Sequence, residues 1–188
     1  MNTVRCFIAI DIPPSVKRKI YELITVINER GYINKKDIKW VKPENLHITL
    51  AFLGNLPVEE ISLLCDIITN VSKTNSPFEI NLEGLGFFPN IRQPKVFWIG
   101  INRSASLFDL KRQIDVKLQQ AGINYDKKPF SPHITIARFK NTIEIKKQIF
   151  DIAFKDEFKV NELHLIKSDL FKEGPRYTEL YSAPLKKF

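Results

Sequence analysis

Two hydrophobic rhythms take turns along the chain. "RCFIAIDI" (residues 5–12) reads as a strand, and "PPSVKRKIYELITVINERG" then spaces Val16, Ile20, Leu23, Ile24 and Ile27 on one helical stripe, with Pro14 in its first turn and Gly31 at its end. A strand in "LHITLAFLG", a helix from about Pro57 to Lys73 and a strand in "PFEINLEGLGFF" follow. After Pro94 the order returns. "KVFWIGI" is a strand, "SASLFDLKRQIDVKLQQAG" a serine-capped helix ending at Gly122, "PHITIARF" a strand and "TIEIKKQIFDIAF" a helix. Two strands, "FKVNELHLIKS" and "RYTELYSAPL", close the chain, and no low-complexity stretch or long linker interrupts it.

The order strand, helix, histidine strand, helix, strand therefore occurs twice, which points to an internal duplication. The expectation is one domain over residues 1–188, built of sequence halves near 1–90 and 91–188. If the halves pack as equivalent lobes, an approximate two-fold axis brings His47 and His133 to face each other across a cleft.

The duplicated pattern is "HITL" at 47–50 and "HITI" at 133–136, and it takes two of the chain's three histidines. On a strand, His47 and Thr49 share one face while Ile48 and Leu50 turn to the other, where they can anchor a core. Their Cα atoms lie roughly 6.6 Å apart at ~3.3 Å per residue, so imidazole and hydroxyl can converge on one oxyanion. His133 and Thr135 repeat this geometry. Two imidazoles and two hydroxyls from opposite sides suit phosphodiester cleavage. One neutral imidazole takes a proton from the attacking water, and one imidazolium gives a proton to the departing ribose oxygen. With a reference pKa of about 6.5, histidine can supply both forms near neutrality. The hydroxyls would hydrogen-bond the non-bridging oxygens.

A single histidine on a strand is ordinarily a surface or core residue; the second copy is what changes the reading. His164 in "ELHLIKS" has no Thr two positions on and reads as structural. A metal site needs three or four ligands, and no Cys or further His lies near either motif. Cys6 and Cys65 are far apart in sequence with apolar neighbours, the pattern of buried free thiols and a cytoplasmic protein. The net charge of +8 makes a polyanionic partner plausible, although its lysine pairs are scattered. No apolar run approaches the ~20 residues of a membrane helix, and the N-terminal "MNTVRCFIAIDIPP" reads as a first strand, not a signal peptide. Neither a GxxxxGK[ST] loop nor a K-x-D-G sequence is present, and "GLG" at 84–86 reads as a turn or strand end.

Two H-h-T-h motifs (h apolar), one per half, resemble the 2H phosphoesterase superfamily. "VRCFIAIDIP", "IKWVKPENLHITLAFLG", "PFEINLEGLGFFPNIRQPKVFWIGI", "KPFSPHITIARFK" and "LHLIKSDLFKEGPRYTELYSAPL" narrow the resemblance to its RNA 2',3'-cyclic phosphodiesterase branch, also called the 2'-5' RNA ligase family. The resemblance implies an α+β, bilobal, pseudo-two-fold fold: two antiparallel sheets form a V-shaped cleft, helices lie outside, and both histidines lie inside. It implies hydrolysis of RNA 2',3'-cyclic phosphate ends to 2'-phosphates without metal or nucleotide cofactor, accompanied by a reversible, ATP-independent 2'-5' ligation. The partner would be RNA with cyclic ends, such as tRNA fragments, bound by a monomer. His47 corresponds to the proton donor and His133 to the acceptor, with Thr49 and Thr135 on the phosphate. Arg138 matches a phosphate-contacting arginine and Phe52 a base-stacking aromatic. In an ideal strand Phe52 and Arg138 point away from the histidines, so both assignments require that the strand bulge or end before them. Two alternatives stay open: the same chemistry on small cyclic nucleotides or 2'-5' oligonucleotides, and a non-catalytic module that binds RNA ends.

Overall fold

The computed structural model describes residues 2–33, 38–141 and 143–186. In chain order its elements are β1 (Thr3–Asp11), α1 (Pro14–Glu29), β2 (Ile38–Trp40), β3 (His47–Pro57), α2 (Ile61–Ser72), β4 (Phe78–Phe88) and β5 (Val96–Ile101). There follow α3 (Ala105–Gln120), β6 (His133–Phe139), β7 (Lys155–Val160), β8 (Glu162–Phe171) and β9 (Gly174–Pro184). All strand pairs are antiparallel, in the order β7-β4-β5-β6-β3-β1-β8-β9, with β2 added beside β6.

At its centre this sheet is joined by one residue pair, Ile48 opposite Ile134. On either side of it lies a four-stranded half, β6-β5-β4-β7 or β3-β1-β8-β9, and these are the two antiparallel sheets that the family resemblance implies. The lobes do not coincide with the sequence halves. β4, from the first half of the chain, pairs with β5 in the second lobe, while β8 and β9 return from the far end of the chain to the lobe of β1. Each lobe thus needs a strand from the other half of the sequence.

The anchoring apolar positions behave as their periodicity requires. Val16, Ile20, Leu23, Ile24 and Ile27 of α1 are all buried, as are Leu64, Ile67, Ile68 and Val71 of α2 and Leu107, Leu110, Ile114 and Leu118 of α3. The Ser104 hydroxyl accepts from Leu107 N–H and caps α3. Ile8 and Ile10 of β1, Ile48 and Leu50 of β3, and Ile134 and Ile136 of β6 join these stripes in one core. The core fixes one face of the sheet and leaves the other to the site.

Three expectations need correction. The helix over 142–154 is reduced to a 3-10 turn at Lys147–Asp151. Ile143 and Ile145 are buried at strand spacing and Ile145 bridges Ile33, so extended pairing competes successfully with helix; Thr142 lies outside the described residues. "FKVNELHLIKS" is two strands, which part at Asn161 for different lobes of the sheet, β7 to β4 and β8 to β1. The buried positions mark the break: Phe158 and Val160 have even numbers, Leu163 and Leu165 odd ones. "GLG" does not end a strand either. Gly84, at φ +77°, sits at an irregularity inside β4, and Gly86 pairs with Trp98 beyond it.

Candidate active site

Continuing the Ile48–Ile134 register sets His47 across from Thr135 and Thr49 across from His133. Four polar side chains thereby gather on the cleft face, each on a strand whose alternate residues are pinned in the core. His47, Thr49, His133 and Thr135 are all partly exposed, whereas Ile48 and Ile134 are fully buried.

Both imidazoles are held in the same way. Nδ1 of His47 lies 2.7 Å from the carbonyl oxygen of Asn45, and Nδ1 of His133 lies 2.7 Å from that of Ser131. A carbonyl only accepts, so each Nδ1 carries hydrogen and each Nε2 is the working nitrogen. At His47 this nitrogen lies 3.0 Å from the Thr49 hydroxyl. Aromatic rings support each histidine. Phe7 and Tyr177 pack on His47 at centroid distances of 4.7 and 5.3 Å, and Phe88 and Trp98 on His133 at 5.0 and 6.5 Å.

Burial lowers the pKa of His47 to about 4, opposed by its bond to the Asn45 carbonyl and by Asp11 and reinforced by Arg138 and His133. The pKa of His133 is also lowered, first by burial and then by Arg138, with the Ser131 carbonyl opposing. In the free site both histidines are therefore neutral at pH 7. An entering anion would favour the imidazolium and so supply the missing acid.

Phe52 and Arg138 reach the cleft because both histidine strands are irregular at the same place. β1 pairs Ile8 with Ala51 and then Ala9 with Thr49, skipping Leu50; β5 pairs Phe97 with Ala137 and then Trp98 with Thr135, skipping Ile136. Two consecutive buried residues result in each strand, Leu50–Ala51 and Ile136–Ala137, after which Phe52 and Arg138 share the side of the histidines. They occupy equivalent places in the two lobes: Phe52 is opposite Phe7, and Arg138 is opposite Val96.

Sequence reasoning missed the aromatic supports and Arg5, whose guanidinium carbon lies 4.7 Å from the Phe52 ring centre. One signal for Trp98 was present, the glycines at 86 and 100. A Cβ on Gly86 would collide with the Trp98 indole, and one on Gly100 would meet the Glu83 carbonyl at 2.5 Å. Tyr177 carried no local signal, because β9 reaches His47 only through the fold. His164 is a buried residue of β8 whose Nδ1 lies 2.7 Å from Glu179 on β9, consistent with a structural role. Cys6 is fully buried, with its thiol pushed up to about 11, and Cys65 is partly exposed; neither is in a disulfide. Among the described residues no three His, Cys, Asp or Glu side chains cluster as a metal site, and no helix is long and apolar enough to cross a membrane.

The antiparallel sheet thus carries two His-x-Thr strands, one from each half of the sequence, paired at its centre. The chain belongs to the LigT-like phosphoesterase family, whose model matches it twice, over residues 10–98 and 99–177. It is 33% identical over 183 residues to an Archaeoglobus fulgidus RNA 2',3'-cyclic phosphodiesterase, covering 94% of this chain and 98% of that one. The protein of the same name from Thermotoga maritima is 33% identical over 180 residues, covering 95% and 94%. Among solved structures, TT0787 of Thermus thermophilus is 28% identical with a TM-score of 0.82, covering 96% of this chain and 97% of that one. E. coli LigT complexed with 3'-AMP is alike in fold, with a TM-score of 0.79 at 24% identity, covering 99% and 100%.

Proposed function

We propose that this phosphoesterase hydrolyses RNA 2',3'-cyclic phosphate ends to 2'-phosphates, using His47 and His133 as the acid and base. The observation that supports the reading is the Ile48–Ile134 pair, which sets the two His-x-Thr strands side by side, each imidazole held through Nδ1 at a backbone carbonyl. The names of the relatives supply the RNA substrate.

In this reading the cyclic phosphate lies between the histidines, and the Thr49 and Thr135 hydroxyls hydrogen-bond its non-bridging oxygens. Nε2 of His133 takes a proton from water as the oxygen attacks phosphorus. The bond from phosphorus to the 3' oxygen breaks, and Nε2 of His47 gives that oxygen its proton. Arg138, exposed and without an ion pair among the described residues, neutralises the phosphate. Phe52, which already carries Arg5 on its ring, offers its remaining surface to the terminal base. With a 5' hydroxyl in place of water as the nucleophile on the cyclic phosphate, the same groups break the bond from phosphorus to the 3' oxygen and form a 2'-5' linkage without ATP. Because the acid and base of this reading are both side chains of the chain, it calls for no resident cofactor, and the unpaired cysteines fit action in the cytoplasm.

The test is incubation with a ribo-oligonucleotide bearing a 2',3'-cyclic phosphate, with the product read by phosphorus NMR. A 2'-phosphate end is expected. A 3'-phosphate, or turnover confined to cyclic mononucleotides and 2'-5' dimers, would contradict the reading.

A further inference from the structure

Arg5 lies on the cleft face of β1, two residues before Phe7, whose ring packs on His47. Its guanidinium lies over Phe52, and its Nε is buried without a hydrogen-bond partner. No carboxylate compensates it among the described residues. The acids on nearby strands are engaged elsewhere: Asp169 is 3.0 Å from Lys167 and Asp11 is 2.8 Å from Lys17. A partly buried cation left unpaired is costly, which makes it a feature in need of an explanation. Stacking occupies the flat face of a guanidinium and leaves the in-plane N–H groups of its two terminal nitrogens to bind an anion.

Position says which anion. Tyr177, which packs on both Phe7 and His47, is acted on electrostatically by Arg5 and by Arg138 alike, so the two cations flank one stretch of cleft. Arg138 also acts on both histidines, so it is the cation placed with the histidine pair. Arg5 is offset from the Phe7–His47 contact by one two-residue step of β1, about 6.6 Å, a step comparable to one nucleotide of an extended strand. We infer that Arg5 is a specificity-determining residue that binds the internucleotide phosphate next to the terminal nucleotide, making the site selective for RNA strands over cyclic mononucleotides. This rests on the RNA-end reading above and adds the residue that recognises the strand.

Binding tests the inference without turnover. The probes are a ribo-oligonucleotide ending in a 2'-phosphate and the matching 2'-phosphate mononucleotide, titrated into wild type, Arg5→Met and Arg5→Lys over a range of salt. Arg5→Met should reduce the preference for the oligonucleotide about tenfold and make the log Kd against log salt slope shallower by ~0.7, the value for one phosphate contact on a single strand. Arg5→Lys should keep that slope. Equal losses on both probes would mean that Arg5 merely supports Phe52, and an unchanged preference would mean that it touches no phosphate; either result overturns the inference. An enzyme that binds in this pattern but fails to cleave the cyclic end overturns the catalytic reading alone.

Discussion

The Thr49 hydroxyl lies 3.0 Å from Nε2 of His47, and since Nδ1 is committed to the Asn45 carbonyl, the hydroxyl donates and the ring accepts. The resting site is thus an unprotonated pair. Hydrolysis needs one proton on that pair, which the anionic substrate must help to hold.

This fixes the sign of the pH dependence. Both histidine pKa values lie below their ordinary value of 6.5, that of His47 at about 4. The singly protonated free enzyme is therefore already depleted when the pH reaches 6.5. The profile of kcat/KM should be bell-shaped with its maximum below pH 6.5, and that of kcat, read on the bound complex, should lie at higher pH. Steady-state rates from pH 4 to 9 check this; a plateau from 6 to 9 in kcat/KM would contradict it.

Thr49 and Thr135 should both matter through kcat. If they bind the phosphate as proposed, valine in place of either removes a hydroxyl that meets charge developing on the non-bridging oxygens, with an expected loss of roughly 10²-fold. Thr49→Val also removes the hydrogen bond to His47 and should shift the pH profile, whereas Thr135→Val should leave its position unchanged. Parallel kinetics of the two variants separate these effects.

Gly86 should resist any side chain. Its missing Cβ makes room for the Trp98 indole, which packs near His133 and Phe88. Gly86→Ala should cost about 1–3 kcal/mol of stability, the usual penalty of overpacking, and should also lower kcat by displacing the indole. Denaturant unfolding and kinetics on the same variant measure both; a fully stable and active variant would show that the packing is not needed.

Much of this site was legible because its signals are local. The alternation in "HITL" and "HITI" reveals which residues face the core, and the repeat pairs the two motifs. The parity of Phe52 and Arg138 could not be settled in that way, since a bulge is one unpaired residue and only pairing with β1 and β5 exposes it. Arg5 and Tyr177 were invisible for a related reason. Arg5 meets Phe52 only through the pairing of β1 with β3, and Tyr177 meets His47 only because β8 and β9 return to the lobe of β1 from the far end of the chain. The helix over 142–154 failed where Ile143 and Ile145 are buried at strand spacing and Ile145 meets a partner at Ile33.

The account stands or falls on whether two histidines, and no metal, carry the chemistry. The direct measurement is turnover of a cyclic-phosphate-ended RNA in EDTA by wild type, His47→Ala and His133→Ala. Wild type should cleave at its full rate, and each variant should fall by at least about 10³-fold, as expected where acid and base act in one step. Near-wild-type turnover by either variant, or loss of wild-type activity in EDTA, would contradict it.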